Sequence, residues 1–163
     1  MAYLPIIGTL AYVLSPSGDD VLLVHRNARS DDESFGKWNG LGGKLERNED
    51  VASCMRRELR EEASIDVVSM RLRGTVSWPG FGRNGEDWLG FVFVVDAFTG
   101  VVPKSNDEGD LAWYPRARLF DASIDFWEGD KHFLPLVFDA DPHPFHGVMP
   151  YANGLPVSWS YTR

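Results

Sequence analysis

The chain has 163 residues, 44% of them apolar and 13% aromatic, so it is long enough to form a sizeable core and too apolar to be intrinsically disordered. Its net charge of -8 disfavours long DNA or RNA and anionic membranes as partners, but is compatible with a small nucleotide accompanied by divalent cations. Cys54 is the only cysteine, which excludes an internal disulfide and a thiolate zinc cluster and indicates a cytoplasmic location. The length predicts a single domain over residues 1–163, and no targeting or membrane-spanning segment is recognised.

The first third of the chain has the pattern of a β-hairpin, a long loop and a helix. Thr9–Leu14 and Val21–His25 are apolar and flank a turn-rich stretch, which predicts the hairpin. Asn27–Gly43 is polar and glycine-rich and predicts a loop, and a loop of that length in a compact domain is usually functional. Asn48 offers an N-cap for a helix that ends near Ala63.

Strand-like segments dominate the rest of the chain. Strands are predicted at Val67–Trp78, Asp87–Phe98 and Asp110–Tyr114, a short helix at Lys131–Phe138, and a closing hairpin at Tyr151–Tyr161. Pro135 must lie in the first turn of the short helix or kink it. So many strands around one clear helix predict a mixed α+β domain and argue against a parallel doubly wound sheet.

The first predicted helix carries three acidic residues on one face. Glu58, Glu61 and Glu62 stand at positions i, i+3 and i+4, and an apolar stripe that should pack against the sheet lies beside them. Clustered carboxylates repel one another, and a hard cation such as Mg²⁺ or Mn²⁺ compensates that repulsion with all-oxygen ligation. Taken alone, the acids are more typical of a solvated helix face balanced by neighbouring arginines.

The wider spacing resembles the signature of the Nudix hydrolases. The matching positions are Gly43, Glu49, Arg57-Glu58-Leu59, Glu61-Glu62 and Ile65, with Ser64 where the signature has glycine. The resemblance implies a mixed β-sandwich flanked by helices, with a loop–helix–loop active site that binds divalent metal. It also implies hydrolysis of a nucleoside diphosphate linked to a further group.

The signature also implies roles for individual residues. Glu58, Glu61 and Glu62 become metal ligands, with the carbonyl of Gly42 as a fourth. Arg57 and Glu49 become a supporting ion pair that holds the loop against the helix. Metal ions in such a site clamp pyrophosphate oxygens and stabilise the charge that develops at phosphorus.

Several segments outside the signature are similar to MutT-type Nudix enzymes, which hydrolyse oxidised purine nucleoside triphosphates. They are Thr9, Trp38-Asn39-Gly40, Leu41-Gly42-Gly43-Lys44, Asn106-Asp107-Glu108, Trp127 ahead of Pro135-Leu136, and the segment from Pro144 to Gly147. The resemblance implies that a substrate such as 8-oxo-dGTP is cleaved to a nucleoside monophosphate and pyrophosphate.

The same resemblance assigns residues to the base. Asn39 would bond the purine edge, Trp127 would stack on the ring, and Asp130 would read the base. A second reading acid of the family is Gly129 here, which predicts a broader tolerance for purines. Trp127 is equally compatible with a plain core position, and Asn39 with a turn residue.

A second group of residues is assigned to the phosphates and the reaction. Thr9, Arg26 and Lys44 would bind the nucleotide, and Glu108 would assist the hydrolytic chemistry, although Glu108 also fits a simple turn. Glu58 and Glu108 are alternative general bases. Another nucleoside diphosphate-linked substrate (a dinucleoside polyphosphate, a nucleotide sugar or a pterin triphosphate) and a non-catalytic binding module are the competing hypotheses.

Overall fold

The computed structural model describes residues 1–163, which form ten β-strands and two α-helices. In chain order they are β1 (Ile6–Leu14), β2 (Asp20–His25), β3 (Trp38–Asn39), α1 (Val51–Ala63), β4 (Ile65–Trp78), β5 (Trp88–Gly100), β6 (Asp110–Pro115), α2 (Asp130–Phe138), β7 (Phe145–Val148), β8 (Tyr151–Ala152), β9 (Leu155–Pro156) and β10 (Ser160–Thr162).

Eight of the strands form one mixed sheet in the order β10-β7-β4-β5-β1-β2-β3, with β6 paired to β2. The β1–β5 and β4–β7 pairs are parallel and the other pairs of this sheet are antiparallel. The predicted hairpin of β1 and β2 is present. None of the helices has the length and apolar character needed to cross a membrane.

Each face of the sheet is covered by one helix. The side chains of the central strands alternate between the two faces, so the same strands contribute to the core on both sides. On one face, Tyr12 of β1 shares a core cluster with Phe133 of α2. On the other face, Ala11 of β1 shares a second cluster with Met55 and Leu59 of α1. The α+β fold with a mixed sheet flanked by helices is thereby confirmed.

The start of α1 corrects one prediction. Asp50, and not Asn48, is the N-cap, and its carboxylate accepts hydrogen bonds from the backbone N–H groups of Ala52 and Ser53, both at 2.9 Å. Asn48 instead turns the chain ahead of the helix with φ of 68°. Asn and Asp are both favoured at N-caps and Asn also tolerates the left-handed region, so composition did not separate the two positions.

The closing hairpin was predicted too long. Strands β8 and β9 pair across Asn153-Gly154, but β10 then pairs with β7. Trp159 packs on Gly147 of β7, where an added Cβ would lie 2.2 Å from the indole. The sequence pattern predicted a strand near the end of the chain but could not identify its partner.

Two smaller corrections concern a loop and a proline. The segment predicted as loop at Asn27–Gly43 contains the two-residue strand β3, which pairs with β2. Helix α2 begins at Asp130, so Pro135 lies in its second turn and not in its first.

Candidate active site

Helix α1 places its charged residues at the margin of the core. Its buried residues are Cys54, Met55, Leu59 and Ala63. Glu58 lies beside this buried stripe, and its side chain is 13% exposed. Glu61 lies about one helical turn further along α1, and its side chain is 59% exposed. The helical spacing therefore grades the acids from enclosed to solvated.

A glycine-rich segment runs antiparallel to β1 and brings its backbone against these acids. Thr9 N–H donates to the Gly43 carbonyl at 2.8 Å, and Ala11 N–H donates to the Leu41 carbonyl at 2.6 Å. A Cβ at Gly42 would lie 1.9 Å from the carbonyl oxygen of Thr9, and one at Gly43 would lie 2.4 Å from the Glu58 carboxylate. Only glycine permits the approach at position 42, where the neighbour is backbone, whereas a Cβ at position 43 would have to displace the end of the Glu58 side chain.

Arg57 connects the loop to three acids. Its Nε and Nη2 donate to the two carboxylate oxygens of Glu49 at 2.9 and 3.1 Å, and its Nη1 donates to Glu58 at 2.7 Å and to Glu61 at 3.3 Å. Hydrogen bonds from Arg57 also lower the pKa of Glu49. Nη2 reaches the Lys44 carbonyl at 3.1 Å, so one guanidinium ties the helix to the preceding loop.

Glu62 is the acid of this group that has no cationic partner. Its carboxylate accepts a hydrogen bond from Gly42 N–H at 3.0 Å and forms no ion pair. Burial, reinforced by the negative charges of Glu108 and Glu58, raises the pKa of Glu62 to about 8. The charge of this carboxylate is thus poorly compensated by the protein itself.

Glu108 arrives from the turn before β6 and is paired with Arg26 at the end of β2. Arg26 Nη1 donates to Glu108 at 2.7 Å, while its Nε and Nη2 donate to Asp32 at 3.0 and 2.6 Å. Burial raises the pKa of Glu108, and the charge of Arg26 opposes that rise. Burial also acts on Asp32, but hydrogen bonds from Ser34 and Arg26 lower its pKa to about 2.

The donor set around α1 suits a hard divalent cation, because it consists of carboxylate and backbone oxygens. No three Asp, Glu, His or Cys side chains lie close enough together to form a complete set of metal ligands. Arg57 instead holds Glu58 and Glu61 toward itself. Glu62 is the enclosed acid with most to gain from an added positive charge.

A cavity of about 360 Å³ opens beside this acidic group. Its lining brings together all six residues predicted to bind substrate, which are Thr9, Arg26, Asn39, Lys44, Trp127 and Asp130, and it includes Gly42 and Glu108. Residues far apart in the chain therefore meet at one site. Glu58, Glu61 and Glu62 do not line the cavity but stand behind its Gly42–Gly43 edge.

One end of the cavity is aromatic with isolated polar groups. Trp127 makes an edge contact with Phe81 at a centroid distance of 5.7 Å. Asn39 Oδ1 is buried and has no hydrogen-bond partner. Asp130 is surrounded by protein although part of its surface stays accessible, and burial raises its pKa to about 7.

The other end carries the basic side chains. Lys44 Nζ lies 5.4 Å from the centroid of the Trp88 ring, and Arg26 reaches the cavity from beside Glu108. Thr9 is buried, and its hydroxyl lies 3.4 Å from the Gly43 carbonyl and 3.5 Å from Cys54 Sγ. Thr9 therefore supports the glycine segment as well as lining the cavity.

Sequence reasoning missed four aromatic lining residues, which are Trp78, Phe81, Trp88 and Tyr151. Trp78 and Trp88 face each other in register across β4 and β5. The sequence alone could not place them together, because it does not say which strands are paired. Tyr151 explains the glycine at position 129, because a Cβ there would lie 2.1 Å from the Tyr151 hydroxyl. A phenol thus stands where a second side chain would project.

A second pocket of about 390 Å³ shares the wall formed by Arg26, Asn39, Phe81, Trp88, Trp127 and Tyr151. Asp32, Glu33 and Arg83 line its outer part, and Arg83 Nε lies 3.5 Å from Glu33. The site thus extends beyond the room that a single base needs.

Comparison with known proteins identifies the family. The NUDIX domain matches residues 5–137, and the chain therefore belongs to the Nudix hydrolases, which are pyrophosphohydrolases. Enzymes of this family typically depend on a divalent metal and act on nucleotide-type small molecules. The predicted MutT-like character is also confirmed.

Three individual proteins show how near these relatives are. The uncharacterised Nudix hydrolase YvcI of Bacillus subtilis is 29% identical over 137 residues, which are 82% of this chain and 80% of that protein. The oxidized purine nucleoside triphosphate hydrolase of Mus musculus is 29% identical over 102 residues, 63% of each chain. A mutator MutT protein from Bacillus halodurans has the same fold, with a TM-score of 0.79 at 24% identity, covering 96% of this chain and 97% of that one.

Proposed function

We propose that this pyrophosphohydrolase cleaves purine nucleoside triphosphates, with an oxidised purine such as 8-oxo-dGTP as the preferred substrate, to a nucleoside monophosphate and pyrophosphate. In this role it removes damaged nucleotides from the pool. The observation that carries the proposal is the single cavity in which Asn39, Trp127 and Asp130 share a wall with Arg26 and Lys44. The printed name of the mouse relative supports the same substrate class.

The base end of the cavity suits a purine. Trp127 offers a stacking surface, and Asn39 and Asp130 offer polar groups that gain partners when a base enters. Arg26 and Lys44 would face the triphosphate, whose negative charge matches theirs. The neighbouring Gly42–Gly43 edge then brings the phosphates toward Glu62 and Glu58.

The proposed metal ligands are Glu58, Glu61, Glu62 and the Gly42 carbonyl, and they would hold Mg²⁺ or Mn²⁺. When bound, the cation supplies positive charge to the phosphate oxygens. Arg57 keeps the acids of α1 oriented through its bonds to Glu49.

Water attacks a phosphorus atom, the anhydride P–O bond breaks, and the proton of the water passes to a carboxylate. Glu58 and Glu108 are the candidate bases. Each uses one oxygen for an arginine, Glu58 with Arg57 and Glu108 with Arg26. The other oxygen of each carboxylate accepts no hydrogen bond from the protein and can take the proton.

A dinucleoside polyphosphate is the second candidate substrate, and the pocket beyond Phe81 and Trp127 is the observation that favours it. That pocket is as large as the first and shares its aromatic wall. A second base could stack there. The two arginines of that pocket, Arg26 and Arg83, are already paired with Asp32 and Glu33, which leaves little free positive charge for further phosphate and suits a neutral base.

A substrate panel with Mg²⁺ tests the proposal directly. It compares 8-oxo-dGTP, dGTP, dATP, diadenosine tetraphosphate and a nucleotide sugar by released pyrophosphate or monophosphate. We expect the highest kcat/KM for 8-oxo-dGTP. A preference for diadenosine tetraphosphate would replace the first candidate with the second.

Variants of the cavity then locate the base. Trp127→Ala should raise KM for every purine triphosphate, by about 5- to 160-fold, because stacking contributes about 1–3 kcal/mol per base. Asn39→Ala or Asp130→Ala should instead reduce the kcat/KM ratio between 8-oxo-dGTP and dGTP. Unchanged KM and unchanged ratio in all three variants would place the base elsewhere.

We also propose that residues 1–163 form one domain and that the protein is cytoplasmic. The segment beyond the family match contributes β7 and β10 to the main sheet, which supports a single domain. Cys54 is free and buried in the core of α1, as suits a reducing compartment.

A further inference from the structure

Asp32, in the loop between β2 and β3, is fixed on both of its carboxylate oxygens. Oδ1 accepts hydrogen bonds from the backbone N–H of Ser34 at 2.9 Å and from the Ser34 hydroxyl at 2.6 Å. Oδ2 accepts hydrogen bonds from Arg26 Nε at 3.0 Å and from Arg26 Nη2 at 2.6 Å. Ser34 is only 4% exposed, so the carboxylate is held between a buried serine and a guanidinium.

The remaining donor edge of Arg26 holds Glu108. Arg26 Nη1 donates to Glu108 at 2.7 Å, and both residues line the cavity of the site. The Glu108 carboxylate accepts no other hydrogen bond from the protein, so Arg26 is the group that orients it.

The geometry of Arg26 makes this orientation depend on Asp32. A guanidinium is planar and presents its donors in fixed directions, so a contact through Nε and Nη2 also sets the direction of Nη1. A free arginine side chain, by contrast, samples many rotamers. Without Asp32, a single hydrogen bond to Glu108 would have to order both side chains.

We propose that Asp32 is a positioning residue for hydrolysis, which fixes Arg26 so that Arg26 holds the Glu108 carboxylate in one orientation at the cavity. The inference rests on the proposed function in one respect, because it gives Glu108 a part in the reaction. It does not depend on which base the substrate carries.

Asp32→Asn tests this role with little change in shape. One of the two terminal atoms of the amide is a donor, so the side chain can no longer accept hydrogen bonds on both sides. We expect kcat with Mg²⁺ to fall by about 10-fold, as for other residues that orient a group in an active site. Asp31→Asn is the matched control, because Asp31 is exposed on the same loop and forms no ion pair, and it should keep the wild-type kcat.

Two double variants separate positioning from other effects of Asp32. In a Glu108→Gln background, Asp32→Asn should cause no further fall in kcat, because the carboxylate that it positions is already absent. The charge of Asp32 can also act on Glu108 directly across space. In an Arg26→Ala background that direct effect would persist, whereas positioning through Arg26 would not, so we again expect no further fall.

The assay uses the fastest substrate of the panel at saturating concentration, so a failed preference for 8-oxo-dGTP leaves this test unaffected. Wild-type kcat in Asp32→Asn would overturn the inference. An equal fall in wild type and in either background would overturn it too, while leaving the role of Glu108 intact. Wild-type kcat in Glu108→Gln alone would remove the proposed role of Glu108, and the inference with it.

Discussion

The acidic end of the site, around α1, and the base end, around Asn39, differ in how far their polar groups are paired. Around α1, charged groups are numerous and mostly paired, with Arg57 bound to Glu49, Glu58 and Glu61 and Arg26 bound to Glu108. At the base end, polar groups are few, and Asn39 Oδ1 is buried without a partner. The first end is organised by ion pairs within the protein, whereas the polar groups of the second end have few protein partners.

Mutations at the two ends should therefore affect different kinetic parameters. Groups at the paired end position charge for the reaction, so changing them should lower kcat and, where a pair is broken, stability. Groups at the unpaired end contribute mainly to binding and discrimination, so changing them should alter KM and substrate ratios. Glu62 is the exception at the paired end, because it lacks a cation.

Glu62→Gln is the strongest test of that exception. A neutral amide is a poorer ligand for a hard cation, so turnover with Mg²⁺ should fall by about 100-fold or more. Without metal, thermal stability should stay level or rise, since glutamine is uncharged and burial and neighbouring acids disfavour the ionised form of Glu62. Asp96→Asn is the matched control, because Asp96 is exposed on β5 and forms no ion pair. Near-normal turnover in both Glu62→Gln and Glu61→Gln would remove the metal-ligand assignment.

Arg57→Ala should break the paired end. It removes every cationic contact of Glu49 and Glu58 at once, so we expect turnover to fall by about 10- to 100-fold together with a lower Tm. Arg57→Lys keeps the charge but cannot bind Glu49 with two parallel hydrogen bonds, and it should be intermediate. Wild-type Tm in Arg57→Ala would show that the pair does not support the loop.

The same contrast decides what the sequence could predict. The acids of α1 lie within one helix, so the 3.6-residue period and the signature spacing predicted their shared face directly. The cavity is assembled from residues of β1, β3, β4, β5, α2 and β8 and of the loops between them. Individual residues there were predicted from resemblance, but Trp88 and Tyr151 became visible only once strand pairing was known.

The two wrong predictions, the N-cap of α1 and the partner of the last strand, also arose because the sequence does not show tertiary contacts. The N-cap at Asp50 and the partner of β10 both depend on a choice between locally equivalent options. Asn48 and Asp50 are both good caps, and the alternating pattern of the last strand is compatible with either β9 or β7 as its neighbour. Tertiary packing, such as Trp159 on Gly147, makes that choice.

The raised pKa of Asp130 predicts a pH-dependent stability at the base end. Burial raises its pKa from 3.8 to about 7, so between these values the folded protein holds a proton that the unfolded chain releases. Stability should therefore fall as pH rises from about 4 to 7, by at most about 1.4 kcal/mol for each pH unit. Asp130→Asn lacks this loss, and its stability relative to wild type should increase between pH 5 and pH 8 in urea titrations. Asp107→Asn on an exposed turn is the control, and a constant difference between Asp130→Asn and wild type would show that the carboxyl is well solvated.

The smallest effect concerns the junction that ends α1. Ser64 stands where the family signature has glycine, and it adopts the left-handed conformation with φ of 56° and ψ of 33°. A residue with a Cβ is disfavoured there by about 1–2 kcal/mol, whereas glycine is not. Ser64→Gly should therefore stabilise the protein by roughly 1 kcal/mol and raise Tm by about 2–4 °C. Ser64→Ala is the matched control, because alanine removes the hydroxyl but keeps the Cβ and should give no such gain. Equal stability of the glycine and alanine variants would mean that backbone strain at this position is not what the signature glycine relieves.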